Sequence, residues 1–404
     1  MLHKLEVLFL KIYMFIFKLV TMIMPFRWPK TFEGADSSLK LVQFMASQGH
    51  KNILVVTDAV LIKLGVLNKI FDELQRLGIA YHVYDGVEPN PTVAQIESGY
   101  DLCDKHDCKA ILAVGGGSPI DAAKMIGARA KNKKPIVKMT GLFRVYRGML
   151  PLYAVPTTAG TGSECTIAAV VTDPVQRKKL AAMDLQLMPT AAALDGALMT
   201  GLPAHITAAT GMDALTHAVE AFVSRNAFGR TDEKAIEATK LIMKHLDTAV
   251  TDGSNVEARQ QMARASHLAG IAFTQAGVGY VHAIAHKFGA LYHTPHGLAN
   301  AIVMPHVLDY SVDNCAPRLA YLAKACNIGP AGGTDRQLAD AFIQRIRDMN
   351  AKFGIPTQLD KLKASDITEI AQSALAEARF TYAVPRYMDM PTAEGVIRKM
   401  LMAA

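Results

Sequence analysis

The sequence predicts an α/β domain built on a parallel sheet, followed by an all-helical domain. Three observations lead there. From Asn52 to Ala130 short β-branched runs alternate with helical stretches, glycines gather where one such run meets a helix, and beyond Leu202 and Pro203 strand-like runs give way to Ala-rich amphipathic stretches. Strands that alternate with helices are joined by crossovers and so lie parallel. The division is an apolar amphipathic leader over residues 1–24, an α/β domain over 25–203 and a helical domain over 204–404.

Taken in order, Leu5 to Met24 is almost wholly apolar and long enough to span a bilayer, yet Glu6, Lys11 and Lys18 interrupt it. A lysine at the centre of a span costs roughly 3 kcal/mol. Lys4, Lys11 and Lys18 recur every seven residues, so on a helix they form a stripe beside a broad apolar surface. That is the pattern of a helix lying in a membrane interface. A helix packed on the chain's own body or on a sister subunit satisfies it equally. A cleaved signal peptide is not expected, because the apolar run continues into Pro25, Arg27, Trp28 and Pro29 with no small-residue cleavage site.

Next, Asn52–Asp58 reads as a buried strand, Leu61–Gly78 as a helix, Ala80–Asp85 as a strand, Thr92–His106 as a helix, Ala110–Gly117 as a strand and Ser118–Ala130 as a helix. Further strands are expected at Leu152–Pro156, Ala168–Asp173, Lys179–Asp184 and Ala191–Asp195. There is no internal repeat.

Composition narrows the function classes. Half of the 404 residues are hydrophobic and a fifth are charged, which excludes a disordered or collagen-like chain. Cys103, Cys108, Cys165, Cys315 and Cys326 form no CxxC pair and no disulfide framework, so a reducing, cytoplasmic setting is expected. The net charge of +7 is spread along the chain without aromatic-interleaved patches, and no nucleic-acid partner is expected.

Two clusters carry chemistry. Gly115, Gly116, Gly117 and Ser118 stand where a strand turns into a helix, where backbone can approach a phosphate and free N–H groups favour its charge. The same run serves equally as a tight structural turn. Asp58 ends an earlier strand, where a carboxylate can hold ribose hydroxyls and repel a 2′-phosphate, favouring NAD over NADP; it can also simply cap the following helix. The segment Val155–Glu164 adds threonines and glycines suited to a polar ligand.

In the helical half, Asp213 and His217 lie four apart, His282 and His286 repeat that spacing, and His296 follows in a Pro-His-Gly turn. Residues four apart share a helix face. One such histidine is ordinarily a satisfied core residue, but several ionisable groups buried together are costly unless they share a ligand. Carboxylate and imidazole without thiolate suit Fe(II) or Zn(II).

The stretches VVTD (55–58), DGVEPNPT (85–92), GGGSPIDAAK (115–124), PTTAGTGSE (156–164), ATGMDALTHAVEAF (209–222) and HAIAHKFGALYHTPHG (282–297) occur in this order. Together they resemble the iron-containing (group III) alcohol dehydrogenases, which include lactaldehyde reductases and other bacterial alcohol dehydrogenases. The resemblance implies a Rossmann-like NAD-binding domain followed by a helical metal-binding domain, with the active site in the cleft between them. It implies metal ligands at Asp213, His217, His282 and His296, and a histidine beside the nicotinamide at His286. It implies cofactor contacts at Asp58, Asn90, Gly116, Gly117, Ser118, Thr157, Thr158, Thr166, Lys179, Leu198, Gly201 and His286. Implied too are one divalent metal, Fe(II) before Zn(II), an alcohol or aldehyde substrate, and a homodimer or larger homo-oligomer. The leader has no counterpart in the usual family pattern. Alternatives are a polyol dehydrogenase of the glycerol type, a lyase resembling dehydroquinate synthase, and a membrane-surface scaffolding protein on this fold.

Overall fold

The computed structural model describes residues 2–174 and 178–402; of residues 2–4 and 178 it describes the backbone alone. The chain opens with α1 (Leu2–Ile23). The α/β part then follows as β1 (Lys30–Glu33), α2 (Ser37–Ser47), β2 (Asn52–Val56), α3 (Ala59–Lys63), α4 (Asn68–Arg76), β3 (Ala80–Tyr84), α5 (Val93–Lys105), β4 (Ala110–Gly115), α6 (Gly117–Asn132), β5 (Gly141–Leu142), β6 (Leu152–Pro156), β7 (Ala168–Asp173), β8 (Lys178–Met183) and β9 (Ala191–Leu194). The remainder is helical: α7 (Ala204–Val223), α8 (Gly229–Thr251), α9 (Val256–Ala276), α10 (Tyr280–Tyr292), α11 (His296–Ala325), α12 (Asp335–Lys352), α13 (Ile367–Ala378) and α14 (Met390–Arg398).

Two compact units result. One contains Pro25–Leu202 together with Gly253–His267; the other contains Met1–Met24, Pro203–Asp252 and Leu268–Ala404. The leader thus clusters with the helical unit, and the first half of α9 with the α/β unit.

The α/β unit holds a six-stranded sheet in the order β1-β9-β6-β4-β2-β3 with every pairing parallel. Its central strands are apolar throughout because both faces are covered. Leu54, Val56, Ile111 and Ala113 face the core shared with α5 and α6, whereas Ile53, Val55, Leu112 and Val114 face the core shared with α2 and α4. The chain leaves β2 for β3 on one side and then crosses to β4 on the other, so the order reverses between β2 and β4. At such a switch point, ligands bind beyond the carboxyl ends of the strands. Asp58 and Gly115–Gly117 stand there, and Thr157 follows the neighbouring β6.

Several expectations need correction. The helix expected over Leu61–Gly78 is two helices, α3 and α4, separated where Gly65 takes φ +67°, a conformation that ends a helix. The strands expected at Ala168–Asp173 and Lys179–Asp184 are present, the second as Lys178–Met183, but they lie outside the parallel sheet. They pair antiparallel as β7 and β8 in a separate three-stranded sheet with β5. Between Phe26 and Gly49, where no element was assigned from sequence, β1 forms the sheet edge in parallel register with β9, and α2 follows. His296 is the first residue of α11, with Pro295 as its N-cap, and does not sit in a turn.

In the helical unit α1 is fastened by its polar side. Leu10, Met14 and Thr21 are buried, Glu6 pairs with Arg379 at 2.7 Å, Lys18 donates to the carbonyls of Arg225 and Ala227, and Arg230 donates to the Met22 carbonyl. The side chain of Lys4, first of the expected lysine stripe, lies outside the described residues.

Candidate functional site

Three helices of one unit bring the expected metal ligands together. α7 supplies Asp213 and His217 one turn apart, α10 supplies His282, and α11 supplies His296 at its first turn. Each of the four offers a donor atom within 4.8 Å of the others', and all but His296 are buried. The Asp213 carboxylate Oδ1 lies 3.9 Å from His282 Nε2 and 3.6 Å from His296 Nε2. The His217 and His282 rings stack at 4.6 Å between centroids. A four-coordinate cation with bonds of about 2.0–2.2 Å spaces its donors about 3.4 Å apart, so the separations from Asp213 to His282 and His296 exceed that spacing by only a few tenths of an ångström.

The protonation states suit ligation. Burial, reinforced by His217, His296 and His286 around it, holds the His282 imidazole well below its usual value and therefore neutral, with a lone pair on Nε2. Asn300, one turn after His296 on α11, inserts its side-chain amide among these lone pairs: Nδ2 donates to Asp213 Oδ1 at 2.6 Å and lies 3.2 Å from both His282 Nε2 and His296 Nε2. Its own Oδ1 is buried with no hydrogen-bond partner. An N–H dipole in a nest of acceptors, at the cost of an orphaned carbonyl, marks a place that favours positive charge.

A second layer orients the ligands. Glu220 on α7 accepts from His282 Nδ1 at 2.6 Å and from the Val281 N–H at 2.8 Å, which aims the opposite nitrogen of His282 at the cage. Burial pushes the Glu220 carboxyl up to about 7, against the pull of the Gly279, Val281 and His282 N–H groups. A Cβ on Gly279 would stand 2.7 Å from Glu220 Oε1, so a side chain there would push this carboxylate aside.

His286, one turn beyond His282, stacks on His296 at 5.3 Å between centroids. Its Nδ1 is 2.7 Å from Glu377 Oε1, and that same oxygen accepts from the Tyr382 hydroxyl at 2.7 Å. Burial raises the Glu377 carboxyl, but the hydrogen bonds from His286 and Tyr382 outweigh it and hold the group below its usual value. Burial and Glu377 together keep the Tyr382 hydroxyl protonated. Asn300, Glu220, Glu377 and Tyr382 escaped the sequence reading. Glu220 carried a faint signal, seven residues from Asp213 on one helix face. Glu377 and Tyr382 carried none, being some 90 residues from His286 along the chain.

In the α/β unit the structure gathers much of the expected cofactor set. Gly116 is the N-cap of α6, and the Thr157 N–H bonds the Gly115 carbonyl at 2.9 Å. A Cβ on Gly116 would meet Thr158 Oγ1 at 3.3 Å, and one on Gly117 would meet Thr161 at 2.7 Å, so the glycines let the two loops touch. Asn90, at φ +61°, takes its N–H to Ser118 Oγ at 3.3 Å and accepts from Lys179 Nζ at 2.6 Å. Asp58 caps α3 through the Leu61 N–H at 3.0 Å. Thr166 turns to the buried Lys124, whose ammonium donates to its hydroxyl and carbonyl and to the Ala168 carbonyl. Leu198 packs at the edge of the core around α2 and α4, and Gly201 faces open space.

Glu164, Cys165 and His267 also cluster, but they satisfy one another. His267 bonds Glu164 at 3.0 Å and Thr31 at 3.3 Å, while the Cys165 thiol is given to the Gly162 and His267 carbonyls. With the thiol pushed well up by burial, this group reads as a cross-brace.

Comparison with known proteins agrees with this geometry. Residues 29–196 match the family model described as iron-containing alcohol dehydrogenase, and residues 207–401 match the C-terminal model of the Fe-containing alcohol dehydrogenase family. The chain is 41% identical over 333 residues to 1,3-propanediol dehydrogenase of Citrobacter freundii, covering 81% of this chain and 86% of that protein. It is 36% identical over 355 residues to the NAD-dependent methanol dehydrogenase of Bacillus methanolicus, covering 87% and 93%. A crystal structure of 1,3-propanediol oxidoreductase superposes with a TM-score of 0.90 at 36% identity, covering 94% of this chain and all of that one.

Proposed function

The chain belongs to the iron-containing alcohol dehydrogenase family, and from that premise we propose that Asp213, His217, His282 and His296 hold one divalent cation, Fe(II) in preference to Zn(II). The protein is a metal-dependent, NAD-linked alcohol dehydrogenase and aldehyde reductase. When bound, the cation supplies a Lewis acid for the alcohol or carbonyl oxygen and NAD carries the hydride.

The chain's own residues provide position and proton transfer. Glu220 fixes the ring of His282 so that a neutral Nε2 faces Asp213 and His296. Glu377 pins the Nδ1–H of His286, which leaves His286 Nε2 as the proton acceptor for alcohol oxidation and, once protonated, as the donor for aldehyde reduction. Tyr382 keeps Glu377 in place for that task. The loops at Gly116–Ser118 and Thr157–Thr158, with Asn90, Thr166, Lys179, Leu198 and Gly201, bind the cofactor, and Asp58 excludes a 2′-phosphate. A small primary alcohol is the substrate class, in keeping with the propanediol and methanol named for the relatives. We place the enzyme in the cytoplasm as a homodimer or larger homo-oligomer.

The observation that carries this reading is the convergence of one carboxylate and three imidazoles from three helices. Anaerobically purified protein should contain about one divalent metal per chain, and Asp213→Ala and His282→Ala should each lose both the metal and NAD-linked alcohol oxidation. Undiminished turnover in either variant rejects the assignment.

A further inference from the structure

The helix α1 presents its apolar side outward. Leu5, Leu8, Phe9, Ile12, Phe15 and Ile16 are each more than half exposed, and Ile23 is 83% exposed. At about 100° per residue, the exposed apolar positions from Leu5 to Ile23 fill about half of the helix circumference. Among the residues whose side chains are described, no charged one lies within that half, and Lys11 stands at its edge. The polar groups Glu6, Lys18 and Thr21 lie on the opposite half together with the buried Leu10 and Met14, and Glu6 and Lys18 meet Arg379 and the Arg225 and Ala227 carbonyls. Such an apolar band is far larger than the scattered exposed hydrophobics normal on a protein surface.

We propose that the outer face of α1 is a membrane-binding surface that seats the enzyme on bilayers containing anionic lipid. Two features favour a bilayer over a second copy of the helix. A paired helix covers a narrow seam and is flanked by charges that complement its partner's. Here the positions flanking a Leu5-Leu8-Ile12-Phe15-Leu19-Met22 seam on one side are Phe9, Ile16 and Ile23, and on the other the exposed Lys11 and the tethered Lys18. The only carboxylate on α1, Glu6, is already paired with Arg379, so a like helix offers Lys11 no partner. Second, Lys11 and Arg230 are both exposed, Lys11 at the edge of the apolar half and Arg230 at the last turn of α1, which it holds through the Met22 carbonyl. Basic groups bordering an apolar face match anionic headgroups above acyl chains. Among the described residues no single helix is long and apolar enough to cross a membrane, and the ties of Glu6, Lys18 and the Met22 carbonyl to the helical unit keep α1 along the bilayer surface.

The test uses the full-length protein and its Phe9→Glu/Ile16→Glu double variant, both positions being exposed and outside the redox site. Co-sedimentation is measured with vesicles of phosphatidylcholine alone and of phosphatidylcholine with phosphatidylglycerol, at low and high salt, alongside light-scattering mass and NAD-linked alcohol oxidation in solution. The expected result is at least tenfold greater binding to the anionic vesicles, reduced by salt, and a tenfold or larger loss in the double variant. Turnover and mass should stay unchanged. Equal binding by the double variant, no preference for anionic vesicles, or a wild-type mass that falls in the double variant without vesicle binding overturns the proposal; the last result assigns the face to a second copy. Turnover without vesicles reads the redox assignment separately, so failure of one leaves the other standing.

Discussion

Gly297→Ala should empty the metal site from a position that is not a ligand. Gly297 follows His296 in the first turn of α11, where a Cβ would stand 2.2 Å from the Ala209 carbonyl oxygen, 2.8 Å from its carbon and 3.3 Å from Asp213 Cβ. The first two belong to the backbone of α7 and cannot rotate away. Since ordinary carbon contacts begin at about 3.5 Å, α7 and α11 must separate by about 1 Å. That displacement falls directly on the site, because His296 rides on α11 while Asp213 and His217 ride on α7. Metal–donor distances tolerate only about 0.2 Å. Overpacking of this kind costs about 1–3 kcal/mol, which a folded chain of this size can survive. Anaerobic metal analysis, NAD reduction with a primary alcohol and thermal unfolding are measured on the same preparation. The expected outcome is a folded protein with a modestly lowered Tm, less than a tenth of the wild-type metal and at least a tenfold loss of turnover. A variant that keeps one metal per chain at wild-type activity would refute the argument that contact between these two helices sets the cage.

Two further outcomes test the α/β unit. Asp58→Asn preserves a side chain able to cap α3 while removing the charge, so the ratio of kcat/KM for NADP over NAD should rise at least tenfold with Tm unchanged; an unaltered ratio leaves Asp58 as a cap alone. Lys124 is fully buried, and burial lowers its ammonium to about 8, although Asp121, Cys165 and Glu164 oppose the shift. The unfolded chain keeps this proton up to its ordinary value of 10.5, so between about 8 and 10.5 the unfolded state binds more protons and this group's contribution to stability rises with pH. Denaturant unfolding from pH 7.5 to 10 should show that rise in the wild type relative to Lys124→Met; parallel curves would contradict it.

Local periodicity was the reliable guide along the chain. The apolar run at Asn52–Val56 and the glycine turn at Gly115–Gly117 were legible because each is fixed by neighbours a few residues away. Four-residue spacing likewise put Asp213 with His217 and His282 with His286 on common helix faces. Failures arose where a distant partner decides. β7 and β8 are neighbours along the chain and pair with each other, Asp173 opposite Lys178; what nothing local says is that they stay apart from β6 and the parallel sheet. β1 exists because β9 offers it an edge 161 residues later, from Lys30 to Ala191.

The sequence by itself determined the order of α/β and helical parts, the glycine turn at the switch point and the ligand types, since these depend on backbone preference, alternation and side-chain chemistry. Only the tertiary structure decided that Asn300 enters the cage, that Glu220 and Glu377 each orient one histidine, and that α1 ties Glu6 and Lys18 to the helical unit. The reason is that a hydrogen bond or ion pair is satisfied by whatever group folding brings within about 3 Å, and the distance along the chain to that group leaves no mark on the spacing of either.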